Sequence, residues 1–231
     1  MRHSSGAKRI RRAWLALCLL IGVAVWPPNA DAESMAAGTP LIAVDAGHGG
    51  EDGGTAAPDG TKESCLNLQI ARRMDGALCF LGCRTRMIRK GEESLADPGT
   101  GSLRKKKVSD LQNRVKAIRG STALISIHQN SLPGHPEVHG AQVFYNRVSC
   151  AGELAAAVQY QLNRTVNAGN EKICKPAPDD IYLMKETECP AVLVECGFLS
   201  SPAETRLLTS ETYQKELAVI MASAMIEFYT K

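Results

Sequence analysis

The chain is poor in aromatic residues, which make up 5% of its 231 positions, and it has no dense excess of charge of one sign. The formal charge of +3 sits mostly at one end. Arg2, Lys8, Arg9, Arg11 and Arg12 against Asp31 put +4 into the first 32 residues and leave −1 for the rest. A body so close to neutral argues against nucleic-acid binding, which needs clustered Lys and Arg to displace phosphate counterions. The apolar run at 13–26 is shorter than the roughly 20 residues that a membrane-crossing helix requires. No internal repeat is visible. What remains, 44% apolar and 22% charged residues, is ordinary globular composition, and the length suits one sizeable domain.

The order at the N-terminus is a basic stretch, an apolar run, Pro27-Pro28 and then Ala30-Asp31-Ala32, the layout of a secretory signal peptide with cleavage expected after Ala32. An uncleaved anchor is the alternative, and it is the only membrane contact the sequence suggests. Cys18 lies inside the apolar run behind Leu17, where a lipoprotein signal would have a small residue. The expected organisation is therefore a signal peptide or anchor at 1–32, a linker at 33–39 and a catalytic domain at 40–231. Seven cysteines remain after cleavage, an odd number that defines no complete disulfide framework. They read as small buried apolar side chains kept reduced, with one or two disulfides as the competing possibility. Cys79 and Cys83, four apart on an expected helix, have no second pair with which to build a structural zinc site.

Short apolar runs alternate with helical periodicity. Strands are expected at 41–44, 84–88, 123–127, 140–145 and 191–194. Between them fall a helix with the stripe Ile70, Met74, Ala77, Leu78 and Leu81 stopped by Gly82, one with Leu111, Val115 and Ile118 capped by Ser109, and one with Leu154, Val158, Leu162 and Val166. Ser201-Pro202-Ala203-Glu204 has a capping-box layout ahead of a last helix through Leu217, Met221 and Phe228. Residues 90–107 read as a long surface loop. The run Arg104-Lys105-Lys106-Lys107 at its end is either a solvated face or a contact for an anionic polymer. The fold class is α/β: a single domain with a mainly parallel sheet and helices on both faces.

Three apolar strands run into reactive residues: Val44 toward His48, Ile127 into His128, and Val194 into Glu195. Parallel strands gather such groups at the carboxyl edge of the sheet, and Glu63 at the mouth of the first helix is placed to reach the same edge. Each of these has a plainer use. A histidine after a strand is ordinarily a hydrogen-bonding loop residue, and a glutamate at a helix entrance complements the dipole. Glu195 is harder to dismiss, because a charge ending a wholly apolar strand is costly to bury without a partner. Two imidazoles and a carboxylate are a common ligand set for catalytic zinc, which lowers the pKa of bound water from about 15.7 to about 7. A second carboxylate then handles the proton. His135 and His139, beside Pro133 and Pro136, read as surface residues.

The segments VDAGHGG (44–50), GTKESCLNL (60–68), SIHQNS (126–131) and VLVECGFLSSPAE (192–204) resemble the zinc-dependent N-acetylmuramoyl-L-alanine amidases of the amidase-3 family, in order and over almost the whole exported body. RKKKVSDLQNRVKAI (104–118), GAQVFY (140–145) and the segment 179–208 resemble its germination-specific, spore-cortex branch. The resemblance implies one Zn²⁺ held by His48, Glu63 and His128, with Glu195 as the catalytic glutamate. Ala46, Cys65 and Gln129 depart from the residues usual in the family, and none of them is a ligand or the proton carrier.

The implied reaction is hydrolysis of the amide between N-acetylmuramic acid and L-alanine in peptidoglycan. The resemblance also implies an exported, extracytoplasmic enzyme of the cell wall. In a spore former it would work in the forespore intermembrane space, stripping stem peptides before muramic δ-lactam forms. It further implies an activating lipoprotein partner that promotes zinc binding. The alternatives are a zinc peptidase cutting within stem peptides and a non-catalytic wall-binding or activator protein on the same scaffold.

Overall fold

The first strand, β1 (Leu41–Ala46), is buried on both faces from Ile42 onward, as a central parallel strand must be. Around it the computed structural model, which describes residues 39–230, builds a six-stranded sheet in the order β2-β1-β3-β6-β4-β5. The other strands are β2 (Arg84–Met87), β3 (Ala123–Asn130), β4 (Gln142–Tyr145), β5 (Lys175–Pro176) and β6 (Ala191–Phe198). β2, β1, β3 and β6 run parallel, while β4 pairs antiparallel with β6 and parallel with β5. The expected signal segment and nearly all of the expected linker lie outside the described residues. Among the described residues, no helix is long and apolar enough to cross a membrane.

Helices cover both faces. α1 (Glu63–Phe80), α3 (Ala151–Asn163) and α6 (Glu211–Thr230) pack together over one core, with Ile42, Val44, Ile125, Ile127, Val192 and Val194 beneath them. α2 (Leu103–Ile118) and α4 (Tyr182–Glu186) pack against each other by the opposite face, over a smaller cluster with Ala43, Leu124 and Leu193. α5 (Pro202–Leu208) follows β6.

Several local expectations are corrected. The buried stripe of α1 runs Leu66, Ile70, Met74 and Leu78, whereas Leu81 lies past the helix end and is exposed. Gly82, at φ +88°, ends the helix: its N–H bonds Cys79 O and that of Cys83 bonds Leu78 O, both at 3.0 Å, closing a Schellman motif. Cys83 is therefore beyond the helix that carries Cys79. The seven described cysteines are free, but only Cys196 is buried; Cys79 and Cys150 are exposed.

α2 starts at Leu103, so the basic run is its first turn rather than the end of a loop. Ser109 caps nothing: buried within the helix, its hydroxyl donates to Asp97 Oδ2 (2.8 Å) and accepts the Asp97 N–H (3.0 Å). Lys and Arg are good helix formers, which lets the helix extend through a run whose charge opposes its dipole. The capping box at Ser201 does not form either. Glu204 turns instead to the backbone N–H groups of Gly140 (3.0 Å) and Phe198 (2.7 Å), tying β6 to the approach to β4.

Candidate metal centre

The four residues singled out at strand and helix ends do meet at the carboxyl edge. His128 lies on β3 and Glu195 on β6, and they are register partners, so their side chains leave the same face of the sheet. Just beyond them, β6 takes three residues to match two on β3, a bulge of the kind found beside reactive sites. His48 sits in the loop after β1 with φ +60°, a left-handed backbone that a β-carbon disfavours and that the surroundings must hold. Glu63 is the first residue of α1, where the helix dipole favours its charge.

The ligating atoms of His48, Glu63 and His128 all lie within 4.8 Å of one another. Glu63 Oε1 is 3.0 Å from His128 Nδ1 and 3.3 Å from His48 Nε2, and the two rings meet edge to face with centroids 5.1 Å apart. The Glu63 carboxylate is fixed by donors. Oε1 accepts from the Gln129 N–H (3.1 Å) and Asn67 Nδ2 (3.2 Å), and Oε2 accepts from the Thr55 N–H (2.9 Å). Gln129 is itself held, its Nε2 donating to Asn67 Oδ1 at 3.1 Å. The departure from the family's usual residue at 129 thus falls on a side chain that steadies Asn67.

The glycines around the site are required by contact. A β-carbon at Gly47 would fall 2.3 Å from the His128 ring, and one at Gly54 would fall 2.4 Å from Glu63 Oε2. Beneath the loop lie two buried arginines. Arg114 donates to Asp45 Oδ1 (2.6 Å), to Ala46 O (2.8 Å) and to His48 O, while Arg89 donates to the carbonyls of Ala46, Gly47 and Ser64.

Electrostatics distinguish the four groups. Burial opposes a charge on Glu63, but His128 and His48 outweigh it and hold the carboxyl well below its usual range. Burial likewise opposes protonation of His48, yet hydrogen bonds to Asp52 and Glu63 lift it to about 9. Glu195 goes the other way. Burial, reinforced by the charge of Glu63 and only partly offset by His128 and His48, pushes it up to about 7. Its Oε2 is buried and has no hydrogen-bond partner.

This donor set suits a divalent metal. Two imidazoles and a carboxylate converge, and a further carboxylate within electrostatic reach keeps one oxygen unpartnered, as a proton carrier beside a reacting water would. His135 and His139 are exposed and take no part in the site. The supporting residues Asp45, Asp52, Asn67, Arg89 and Arg114 were not picked out by sequence reasoning. Arg114 carried a signal, since with Leu111, Val115 and Ile118 it falls on the apolar stripe of its helix. A charge on such a stripe asks for a buried partner.

Comparison with known proteins agrees with the motifs. The N-acetylmuramoyl-L-alanine amidase family amidase-3 matches residues 42–227. The germination-specific N-acetylmuramoyl-L-alanine amidase of Bacillus subtilis is 34% identical over 194 residues, covering 83% of this chain and 80% of that one. The CwlD amidase of Clostridioides difficile, solved in complex with the GerS lipoprotein, superposes with a TM-score of 0.79 at 34% identity, covering 83% of this chain and 99% of that one. The amidase AmiC2 of Nostoc punctiforme superposes with a TM-score of 0.71 at 25% identity over 83% of this chain and 98% of its own. With a match across most of its length, the chain belongs to the amidase-3 family of N-acetylmuramoyl-L-alanine amidases.

Proposed function

We propose that the chain is a zinc-dependent N-acetylmuramoyl-L-alanine amidase that removes stem peptides from peptidoglycan by hydrolysing the amide between N-acetylmuramic acid and L-alanine. The reading is carried by one observation: the buried, unpartnered Oε2 of Glu195 beside the His48–Glu63–His128 cluster. His48, Glu63 and His128 would hold the ion. When bound, zinc polarises the scissile carbonyl and makes water a nucleophile at neutral pH.

The remaining work falls to protein groups. Glu195, poised near neutrality by burial, takes the proton of the attacking water on its carboxylate and delivers it to the leaving nitrogen of L-alanine. The Gln129 N–H and Asn67 keep Glu63 oriented throughout. The buried arginines hold the backbone that carries His48 in its strained conformation.

The biological setting proposed is the spore cortex, on the strength of the likeness to the germination-specific amidase of B. subtilis and CwlD of C. difficile. The same likeness supports an activating lipoprotein partner, since that CwlD was solved with one. Export and extracytoplasmic action fit both the substrate and the leader-like N-terminus.

The test is mass spectrometry of peptidoglycan digested by the purified, zinc-loaded protein. Free stem peptides together with peptide-free muramic acid are expected. Shortened peptides still attached to muramic acid would show a zinc peptidase, and no cleavage would leave the non-catalytic reading. Glu195→Gln is expected to keep zinc and lose cleavage by at least a hundredfold, in the range that removal of a general acid–base group costs.

A further inference from the structure

None of the described cysteines serves the proposed metal centre, and two of them meet at the opposite end of α1 from Glu63. Cys79 lies in the last turn of the helix and is exposed, while Cys83, partly buried, comes just before β2. Side chains four apart in a continuous helix hold their β-carbons about 5–6 Å apart, wider than the roughly 3.5–4.5 Å of a disulfide. Here Gly82 stops the helix between them and the chain turns into β2. The pair is thereby released from helical spacing.

Three observations bring the thiols to one place. Cys79 Sγ lies 3.2 Å from Thr85 Oγ1. Cys83 and Met87 both pack against the core that α1 covers, so Thr85, midway between them, leaves the same face of the chain, and Cys79 reaches down to it. Cys79 and Cys83 also line one cavity of about 590 Å³, whose charged residues are Arg84, Arg86 and Lys90 against a single acid, Asp75. The thiols sense each other as well: burial first, and then Cys79, push the Cys83 thiol above its usual value. Partly open, electropositive surroundings are those in which cysteines exchange with disulfides rather than lie inert.

We infer that Cys79 and Cys83 form a disulfide when the folded chain meets a small-molecule or protein disulfide, clipping the end of α1 to the start of β2. The setting is the exported state proposed above, and the amide chemistry plays no part in it. Cys79, the more exposed thiol, attacks one sulfur of the oxidant as its thiolate, the oxidant's S–S bond breaks, and one thiol leaves. The Cys83 thiolate then attacks Cys79 Sγ, which forms the bridge and releases the second thiol. The protein pair gives up two electrons to the oxidant, and the two protons end on the released thiols. The loop so closed is short, so the bridge restricts the unfolded chain only modestly.

Glutathione disulfide is the probe, added to the reduced, folded full chain without zinc or substrate. After acid quenching and alkylation with iodoacetamide, trypsin releases both cysteines in one peptide, 74–84, bounded by Arg73 and Arg84. That peptide is expected to be lighter by two hydrogens and to carry neither alkyl nor glutathione groups. Cys83→Ala is expected to leave glutathione on Cys79. At one glutathione redox ratio the folded chain should favour the bridge about tenfold over the urea-unfolded chain, and closure should raise the melting temperature by about 4 °C, a gain absent from the Cys79→Ser, Cys83→Ala double variant. Wild-type peptide with glutathione on Cys79, or with alkyl groups on both cysteines, overturns the inference, as does equal bridging with and without urea. Should the variants fail to fold, the wild-type peptide decides alone. Cell fractionation that finds the chain retained inside would sink the export reading, whereas the pairing stands or falls on the peptide and the amidase reading on cleavage.

Discussion

Asp52 Oδ1 lies 3.0 Å from His48 Nδ1, and the other oxygen of the same carboxylate lies 3.3 Å from Lys107 Nζ. The contact fixes which edge of the imidazole turns toward Glu63, leaving Nε2 as the atom 3.3 Å from its carboxylate. The shared proton and the Lys107 charge in turn hold the Asp52 carboxyl far below its ordinary value, hydrogen bonding to His48 contributing most. This is the arrangement by which outer carboxylates orient metal-binding histidines.

Asp52→Ala is therefore expected to weaken metal binding by about 10–100-fold while leaving the far-ultraviolet circular dichroism unchanged. Competition against a fluorescent chelator measures the first and the spectrum checks the second. Lys107→Ala, which removes an exposed cation, should change affinity only a few-fold. An Asp52→Ala protein with wild-type affinity would rule out the orienting role.

Asp45 and Arg114 make a different kind of pair, buried at the end of β1 with Ser126 donating to Asp45 Oδ2 at 2.7 Å. Burial alone would raise the Asp45 carboxyl, but Arg114 and Ser126 bring it below its usual value. Because the folded value lies beneath the unfolded one, about 3.9, the stabilisation is complete at neutral pH and disappears as the pH falls through the folded value. Arg114→Met takes the cation from buried Asp45 and also from Asp110, whose Oδ2 lies 2.6 Å from Arg114 Nε, with an expected loss of about 3–5 kcal/mol at pH 7 in urea unfolding. The deficit should shrink toward pH 4, since protonating the two carboxylates then removes the uncompensated charge. A deficit independent of pH would mean that Arg114 acts only through its bonds to the loop carbonyls.

How much of this was legible follows from the range of the forces involved. His48, His128 and Glu195 could be placed together because each follows an apolar strand-forming run, and parallel strands leave few ways to arrange their carboxyl ends. Glu63 followed from its helix entrance. Asp52, Asn67 and Arg89 could not, since their roles depend on contacts spanning loops whose paths no periodicity encodes. The start of α2 was misplaced because cations at a helix N-terminus contradict the dipole rule, and Ser109 offered a more ordinary cap. Glu204 had the spacing of a capping residue but was taken by two backbone donors of the tertiary structure. The seven cysteines misled for a similar reason, as composition says nothing about which thiols the packing leaves exposed.

Glu195 offers a direct probe of the centre before any substrate is added. In metal-free protein its carboxyl should titrate near 7, lifted chiefly by burial. A divalent cation bound by the neighbouring His48, Glu63 and His128 favours the ionised form, so adding zinc should lower that value. Carbon-detected NMR of glutamate side chains, with the signal assigned by its disappearance in Glu195→Gln, measures both. A Glu195 resonance already titrating in the ordinary carboxylate range without metal would contradict the buried, unpartnered environment.

Gly54 and Gly60 allow backbone strain to be separated from contact with the ligands. Both have positive φ, +68° and +88°, so alanine at either should cost about 1–2 kcal/mol of stability. They differ in what a β-carbon meets. At Gly60 nothing lies within 4 Å, whereas at Gly54 the new atom would fall 2.4 Å from Glu63 Oε2 and 2.8 Å from His48 Cδ2. Neither group can withdraw easily: Glu63 is buried and bonded to Thr55, Asn67 and Gln129, and His48 is held by Asp52. Gly54→Ala is thus expected to lose metal affinity by more than tenfold and to melt below Gly60→Ala, which retains its affinity. If both variants bound metal like the wild type, the Thr55 loop would be yielding to the added methyl, and the rigidity ascribed to Glu63 would have to be given up.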